Sequence, residues 1–218
     1  MRIGRVFRNT KRIFNIILSI ISFIIGVFSF VIFAMYKVIN YIKRTIFYMN
    51  KTYNYLDVQK EIKSMDDRQF EIFCSELFKQ LGFKVKTTQE TCDGGKDIIL
   101  KRNGFTTYVE CKKWNGNNNL VGRPELQKLV GSSIADSVLN MIFITTSDFN
   151  KNAKEYAKKI DSLKLWTTID IMKHIEKLND NQICTIFKNT EMKYNSGNVI
   201  NKLENINENL VEINKSFR

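Results

Sequence analysis

Residues 13–36, IFNIILSIISFIIGVFSFVIFAMY, run for 24 positions without a charge and constrain this chain more than any other feature. Wound as a helix, the run is about 36 Å long, enough to cross a hydrocarbon core of about 30 Å. Its polar residues are Asn15, Ser19, Ser22, Ser29 and Tyr36, all tolerable in lipid. A cleaved secretory signal has an apolar region of about 7–15 residues and a small-residue cleavage site, and this run matches neither. The expectation is a retained transmembrane helix over 13–36, after a basic flank over 1–12. A juxtamembrane segment over 37–60 follows, whose rings Tyr41, Phe47, Tyr48, Tyr53 and Tyr55 suit a membrane interface.

The net charge of +12 would suggest a nucleic-acid partner if it were evenly spread. It is not. Residues 1–60 hold ten Lys and Arg against the single acid Asp57, which leaves 24 basic and 21 acidic residues in 61–218. The excess therefore flanks the apolar run, where basic side chains anchor helix ends and meet anionic lipid. Basic residues on both flanks make the orientation ambiguous, and the positive-inside rule slightly favours a cytoplasmic N-terminus. The cysteines point the other way: Cys74, Cys92, Cys111 and Cys184 show no C-x-x-C spacing, and Cys74 and Cys111 sit in apolar patterns like buried free thiols. The expectation is a single-pass protein of the cell membrane with its soluble part in the cytoplasm.

After the flank, a helix is expected from Asp66 or Asp67, with the stripe Phe70, Phe73, Cys74, Leu77, Phe78 and Leu81, stopping at Gly82. A short strand over 83–87 leads to an Asp-Gly-Gly turn and a strand over 97–101. Asn103-Gly104 is a hairpin signal that returns the chain along 105–113. Pro124 suits a first helical turn, and the helix it opens carries Leu126, Leu129, Val130, Ile134 and Val138. MIFITT reads as a buried strand, 150–160 as a helix, LKLWTT as a strand and 170–178 as a helix. The fold class is α/β, a mixed central sheet flanked by helices. In the last segment, 181–218, Val199, Leu203, Ile206, Leu210, Ile213 and Phe217 are spaced 4, 3, 4, 3, 4. That seam serves either a helix packed on its own domain or a short coiled coil joining copies of the chain.

Strand alternation places Tyr108, Glu110 and Lys112 on one face and Val109 and Cys111 on the other. The hairpin brings Asp97 opposite residues around 109–111, so two carboxylates and a lysine converge. Hard carboxylate oxygens suit Mg²⁺, and a metal beside a phosphodiester would polarise it and acidify a bound water. Lys112 could hold that water or offset charge on the transition state. The same residues also suit a solvated hairpin face of mixed charge.

Together with FEIFCSELFKQLGFKVKTT, the motifs DGGKDI, VECKKW, VGRPELQKLVGS and MIFITTSDFNKNAKEYAK resemble the catalytic domain of the Mrr family of restriction endonucleases, within the PD-(D/E)xK nuclease superfamily. The resemblance runs from about Asp66 to about Leu178 and places a restriction-endonuclease-like domain over 61–180. It implies that Asp97 and Glu110 are the metal-ligating carboxylates and Lys112 the catalytic lysine. It also implies that Glu71 assists metal binding and that Gln127 lies close to the site. Many relatives carry Gln where this chain has Glu110, and Lys96 stands where an apolar residue is usual. The implied activity is Mg²⁺-dependent hydrolysis of DNA phosphodiester bonds at the membrane, in restriction or defence. The competing readings are a catalytically silent, membrane-tethered nucleic-acid-binding or oligomerising module, and a structural membrane protein assembled through the C-terminal seam. Outside the matched motifs, His174 reads as structural, Lys151, Lys154, Lys158 and Lys159 as a basic helix face, and Trp114 as packing at a strand end.

Overall fold

The charge-free run lies within one long helix, α1 (Ile3–Met49). The computed structural model describes residues 3–49, 53–88, 95–114 and 119–216, with side chains at 15–43, 45–46, 53–88, 95–114 and 119–198. Within α1, Asn15–Lys43 is 29 residues long, carries only the charges Lys37 and Lys43, and none of it is buried. Large apolar side chains such as Phe23 and Phe28 stand 73% and 69% exposed. The helical rise makes this stretch about 44 Å long. α1 belongs to the first of two compact units, Met1–Asn50; the second is Lys51–Arg218.

The second unit opens with α2 (Tyr55–Ser64), capped by Asn54, whose side chain accepts from the Asp57 amide. This helix was not expected. Tyr53, grouped above with rings of the membrane interface, is buried and stacks on Phe187 at 4.6 Å between centroids. The short pattern Val58–Ile62 was hidden by the charges around it, and only its partners in the fold explain its burial. α3 (Asp67–Gln80) starts as expected: the Asp66 side chain accepts from the Gln69 amide, and the Gln69 side chain accepts in return from the Asp66 amide.

β1 (Lys84–Thr87), β2 (Ile98–Arg102) and β3 (Phe105–Lys112) form an antiparallel meander, and Asn103 and Gly104 at the hairpin turn both have positive φ. α4 (Arg123–Ala135) then crosses to β4 (Asn140–Thr145), and α5 (Lys151–Ala157) crosses to β5 (Leu163–Trp166), both strands parallel to β3. The sheet order is β1-β2-β3-β4-β5. α6 (Thr168–Ile175) and α7 (Asp180–Ser216) complete the chain. The mixed sheet flanked by helices is the architecture expected from the sequence.

Two layers of side chains enclose the sheet. On one face Tyr108, Leu126, Leu129, Met141, Phe143 and Phe149 form a buried cluster beneath α4 and α5, with Trp114 packed against it. α3 packs on β1, β2 and β3. It is tied to α7 by Glu76, only 1% exposed, which accepts from Lys79 (2.7 Å), Lys193 (2.5 Å) and Asn189 (3.0 Å). The early turns of α7 bury Ile183, Ile186 and Phe187. The proposed seam from Val199 to Phe217 falls where no side chain is described, Phe217 lying outside the described residues altogether. Cys74, Cys111 and Cys184 are buried free thiols, and Cys92 lies outside the described residues.

Candidate active site

Glu110 sits between the buried Tyr108 and Cys111 on β3 and opposite the fully buried Phe143 of β4, which is why a carboxylate there is only 7% exposed. The hairpin ladder ends with Ile98 opposite Val109, and Asp97 immediately precedes that pair in the chain. The Asp97 amide donates to the Val109 carbonyl at 2.8 Å, and the Cys111 amide donates to Asp97 Oδ2 at 2.6 Å. Lys112 Nζ reaches Glu110 Oε1 at 2.9 Å. Thus the chain segment 110–112 supplies a carboxylate, an amide and an ammonium group around Asp97.

The electrostatics follow from that packing. Burial, then the neighbouring Glu110 charge, push Asp97 up to about 8, against the pull of the Cys111 amide and Lys112. Burial acts to lower Lys112, but its bond to Glu110 and the charges of Glu110, Asp97 and Glu71 outweigh this and hold it above the ordinary lysine range. Lys112 therefore stays an ammonium donor.

Glu71 lies on α3 with its side chain 21% exposed, bonded by Arg68 Nη1 at 2.6 Å. Its charge acts on both Asp97 and Lys112, so it belongs to the same electrostatic neighbourhood. Gln127 is exposed on α4 and makes no hydrogen bond to these side chains. The helix turn that carries it nonetheless abuts the approach to Asp97: a Cβ on Gly95 (φ +79°) would lie 3.3 Å from Lys128 Cβ. Asp93 and Gly94 lie outside the described residues.

One anchor of the site was not read from the sequence. Lys96 turns away from Asp97 to pair with Asp136, with Ser132 Oγ at 3.2 Å and the Tyr108 ring at 4.6 Å from its ammonium. Tyr108 OH donates to the same Asp136 oxygen at 2.8 Å. A lysine fits in place of an apolar residue because its ammonium lies over the Tyr108 ring and its charge is met by Asp136. The unusual Lys96 was the only signal, and its partner lies 40 residues away.

Two other expectations concern residues away from the site. His174 stacks on Trp166 at 4.3 Å, a structural role. Lys154 pairs with Asp148 at 2.9 Å and Lys151 approaches Glu155 at 3.9 Å, so part of the α5 basic face is already neutralised.

Residues 62–175 match the restriction endonuclease family Mrr_cat. The chain belongs to this family. The type IV methyl-directed restriction enzyme EcoKMrr of Escherichia coli (strain K12) is 30% identical over 117 residues, covering 50% of this chain and 38% of that protein. The uncharacterized protein y4cE of Sinorhizobium fredii (strain NBRC 101917 / NGR234) is 31% identical over 134 residues, covering 60% of this chain and 31% of that protein. The chain thus spans about a third of the length of these relatives. The DNA modification-dependent restriction endonuclease AspBHI superposes with a TM-score of 0.47 at 18% identity, covering 62% of this chain and 38% of that one.

Among the described residues no group of three or more His, Cys, Asp and Glu side chains is arranged to hold a metal ion. The donor set here is smaller and all oxygen: Asp97 and Glu110, close enough that the Glu110 charge raises Asp97. Such a pair fits a hard divalent cation that keeps several waters and takes its remaining ligands from phosphate.

Proposed function

We propose that this member of the Mrr_cat family is a membrane-anchored endonuclease that hydrolyses DNA phosphodiester bonds with Mg²⁺. The observation that carries the reading is the meeting of Asp97, Glu110 and Lys112 through one hairpin register and the Cys111 amide. Asp97 and Glu110 would hold the ion, which when bound polarises the phosphoryl group and lowers the pKa of a coordinated water. Lys112, kept protonated by Glu110, donates hydrogen bonds to the attacking water or to a non-bridging phosphate oxygen. Water oxygen bonds to phosphorus as one of its protons passes to solvent, the bridging P–O bond breaks, and the leaving alkoxide takes up a proton from solvent. Glu71 adds negative potential that favours the cation, and Gln127 would act from the helix turn that abuts Gly95 on the approach to Asp97.

The anchor is α1. Its exposed Asn15–Lys43 stretch is long and apolar enough for a bilayer, and its basic flanks suit anionic headgroups. We place the nuclease unit in the cytoplasm, where its free thiols stay reduced.

Plasmid nicking by the full chain in detergent, with Mg²⁺ or with EDTA, tests this reading. Asp97→Ala and Lys112→Ala, each confirmed as folded, should lower the metal-dependent rate by about 10²–10⁴-fold. Cleavage that survives both substitutions would show the site to be misassigned. DNA binding without cleavage by the parent chain would favour the silent binding module.

A further inference from the structure

Beside the carboxylate pair, the sheet face opens into a pocket of about 430 Å³ lined by Lys84, Lys86, Ile99, Lys101, Thr106 and Tyr108, among others. Its order follows from the strand register. Lys84 faces Lys101, which faces Thr106; Lys86 faces Ile99, which faces Tyr108. Thr106 and Tyr108 of the pocket share one face of β3 with Glu110 of the candidate active site. The strand rise of about 3.3 Å per residue puts the Lys84–Lys101–Thr106 rung about 13 Å from Glu110.

Like charges directly opposite each other destabilise a sheet, yet Lys84 and Lys101 are paired across β1 and β2 with Lys86 one rung away. None of the three has a salt bridge among the described residues, and no acid lines the pocket. The nearest carboxylate, Asp136, is already engaged by Lys96 and Tyr108. Edge protection accounts for lysines on β1, but not for Lys101 on the inner strand β2 nor for the hollow the three surround.

Resting on the nuclease reading above, we infer that Lys84, Lys86 and Lys101 form a phosphate-binding track for the DNA strand that enters the active site. A DNA strand carries one phosphate per 3.4 Å of axis, so these lysines would meet phosphates within about four nucleotides of the scissile one. The concave site admits a strand backbone, whereas a flat bilayer would reach only its rim.

The test is the salt dependence of binding a short DNA duplex and the matching single strand, using the full chain in detergent with EDTA to stop cleavage. The variant K84Q/K86Q/K101Q keeps the side-chain stems and removes the charges. Its slope of log K against log salt should fall by about 2.7 from the parent value, at about 0.9 per phosphate contact. At the low-salt end its affinity should fall at least tenfold. The single change K101Q should lower the slope by about 0.9, and neither variant should lower the melting temperature. If the parent binds and cleaves DNA while the triple variant keeps its slope, the track is refuted and the nuclease reading stands. If the triple variant loses binding to phosphatidylserine vesicles but not to DNA, the face serves the membrane and the track is again refuted. A parent that neither binds nor cleaves DNA refutes both readings.

Discussion

The amide of Cys111 holds Asp97 Oδ2 at 2.6 Å, so the residue between Glu110 and Lys112 is what fixes the third member of the site. A backbone donor sets this contact, and substitutions of the Cys111 side chain leave it available. What threatens it is any change in the strand register or in the turn that delivers Asp97.

That contact leads to a pH prediction. Asp97 is raised to about 8 by burial and by Glu110, against about 3.9 in the unfolded chain. The folded state therefore favours the protonated form. The stabilisation is fully present below pH 4 and is lost as pH rises through about 8. Metal-free protein should melt at progressively lower temperature from pH 5 to pH 8.5, and Asp97→Asn should flatten the curve. Mg²⁺ binding needs the carboxylate, so its affinity should rise over the same interval. Thermal unfolding with EDTA or Mg²⁺ at each pH measures both effects; a parent curve no steeper than that of Asp97→Asn would contradict the assignment.

Gly95 supplies a second prediction. At φ +79°, with Lys128 Cβ 3.3 Å from the place of a new methyl group, Gly95→Ala should cost about 1–2 kcal/mol from the left-handed backbone alone. Steric pressure on α4 adds to that. The rate of DNA nicking should fall further than stability does, because the strain is placed two residues from Asp97. Equal melting temperatures for the two proteins would show that the turn relaxes freely.

The Glu76 carboxylate joins α3 to α7 through three donors, and their bonds more than offset the effect of burial, holding it below the usual carboxylate range. Glu76→Gln should destabilise the fold by about 1–3 kcal/mol, measured by denaturant unfolding. Lys193→Ala should cost less, since that side chain is 49% exposed and its charge is served by water. A larger loss in Lys193→Ala than in Glu76→Gln would reverse this picture.

The anchor can be tested independently of the chemistry. The full chain should sediment with membranes and resist alkaline washing. The double change Ile24→Arg and Phe28→Arg adds about 2.5–3.5 kcal/mol per charge near the centre of a span. It should release the chain into the soluble fraction or leave it uninserted. Unchanged sedimentation would mean that another part of the chain makes the attachment.

Much of this protein was legible one residue at a time. The charge-free run, the helix start at Asp66 or Asp67, the Asn103-Gly104 turn and the alternation along 105–112 are local properties, written in consecutive residues by helix N-terminal preference, turn geometry and strand period. Because the hairpin is local as well, the approach of Asp97 to Glu110 and Lys112 followed from the sequence. What depends on distant partners did not. Val58 and Ile62 show no helix signal strong enough against their charged neighbours, and Tyr53 looks interfacial until Phe187 covers it. Lys96 finds Asp136 only after β2, β3 and α4 have assembled, and three lysines from two strands enclose one pocket only in the final register. The sequence by itself determined the elements other than α2 and brought Asp97 near Glu110, because short-range sterics and hydrogen bonding act within a few residues. The tertiary structure alone decided which charges are buried, which are matched and which are left without a carboxylate partner, because desolvation and charge pairing depend on atoms far apart in the chain.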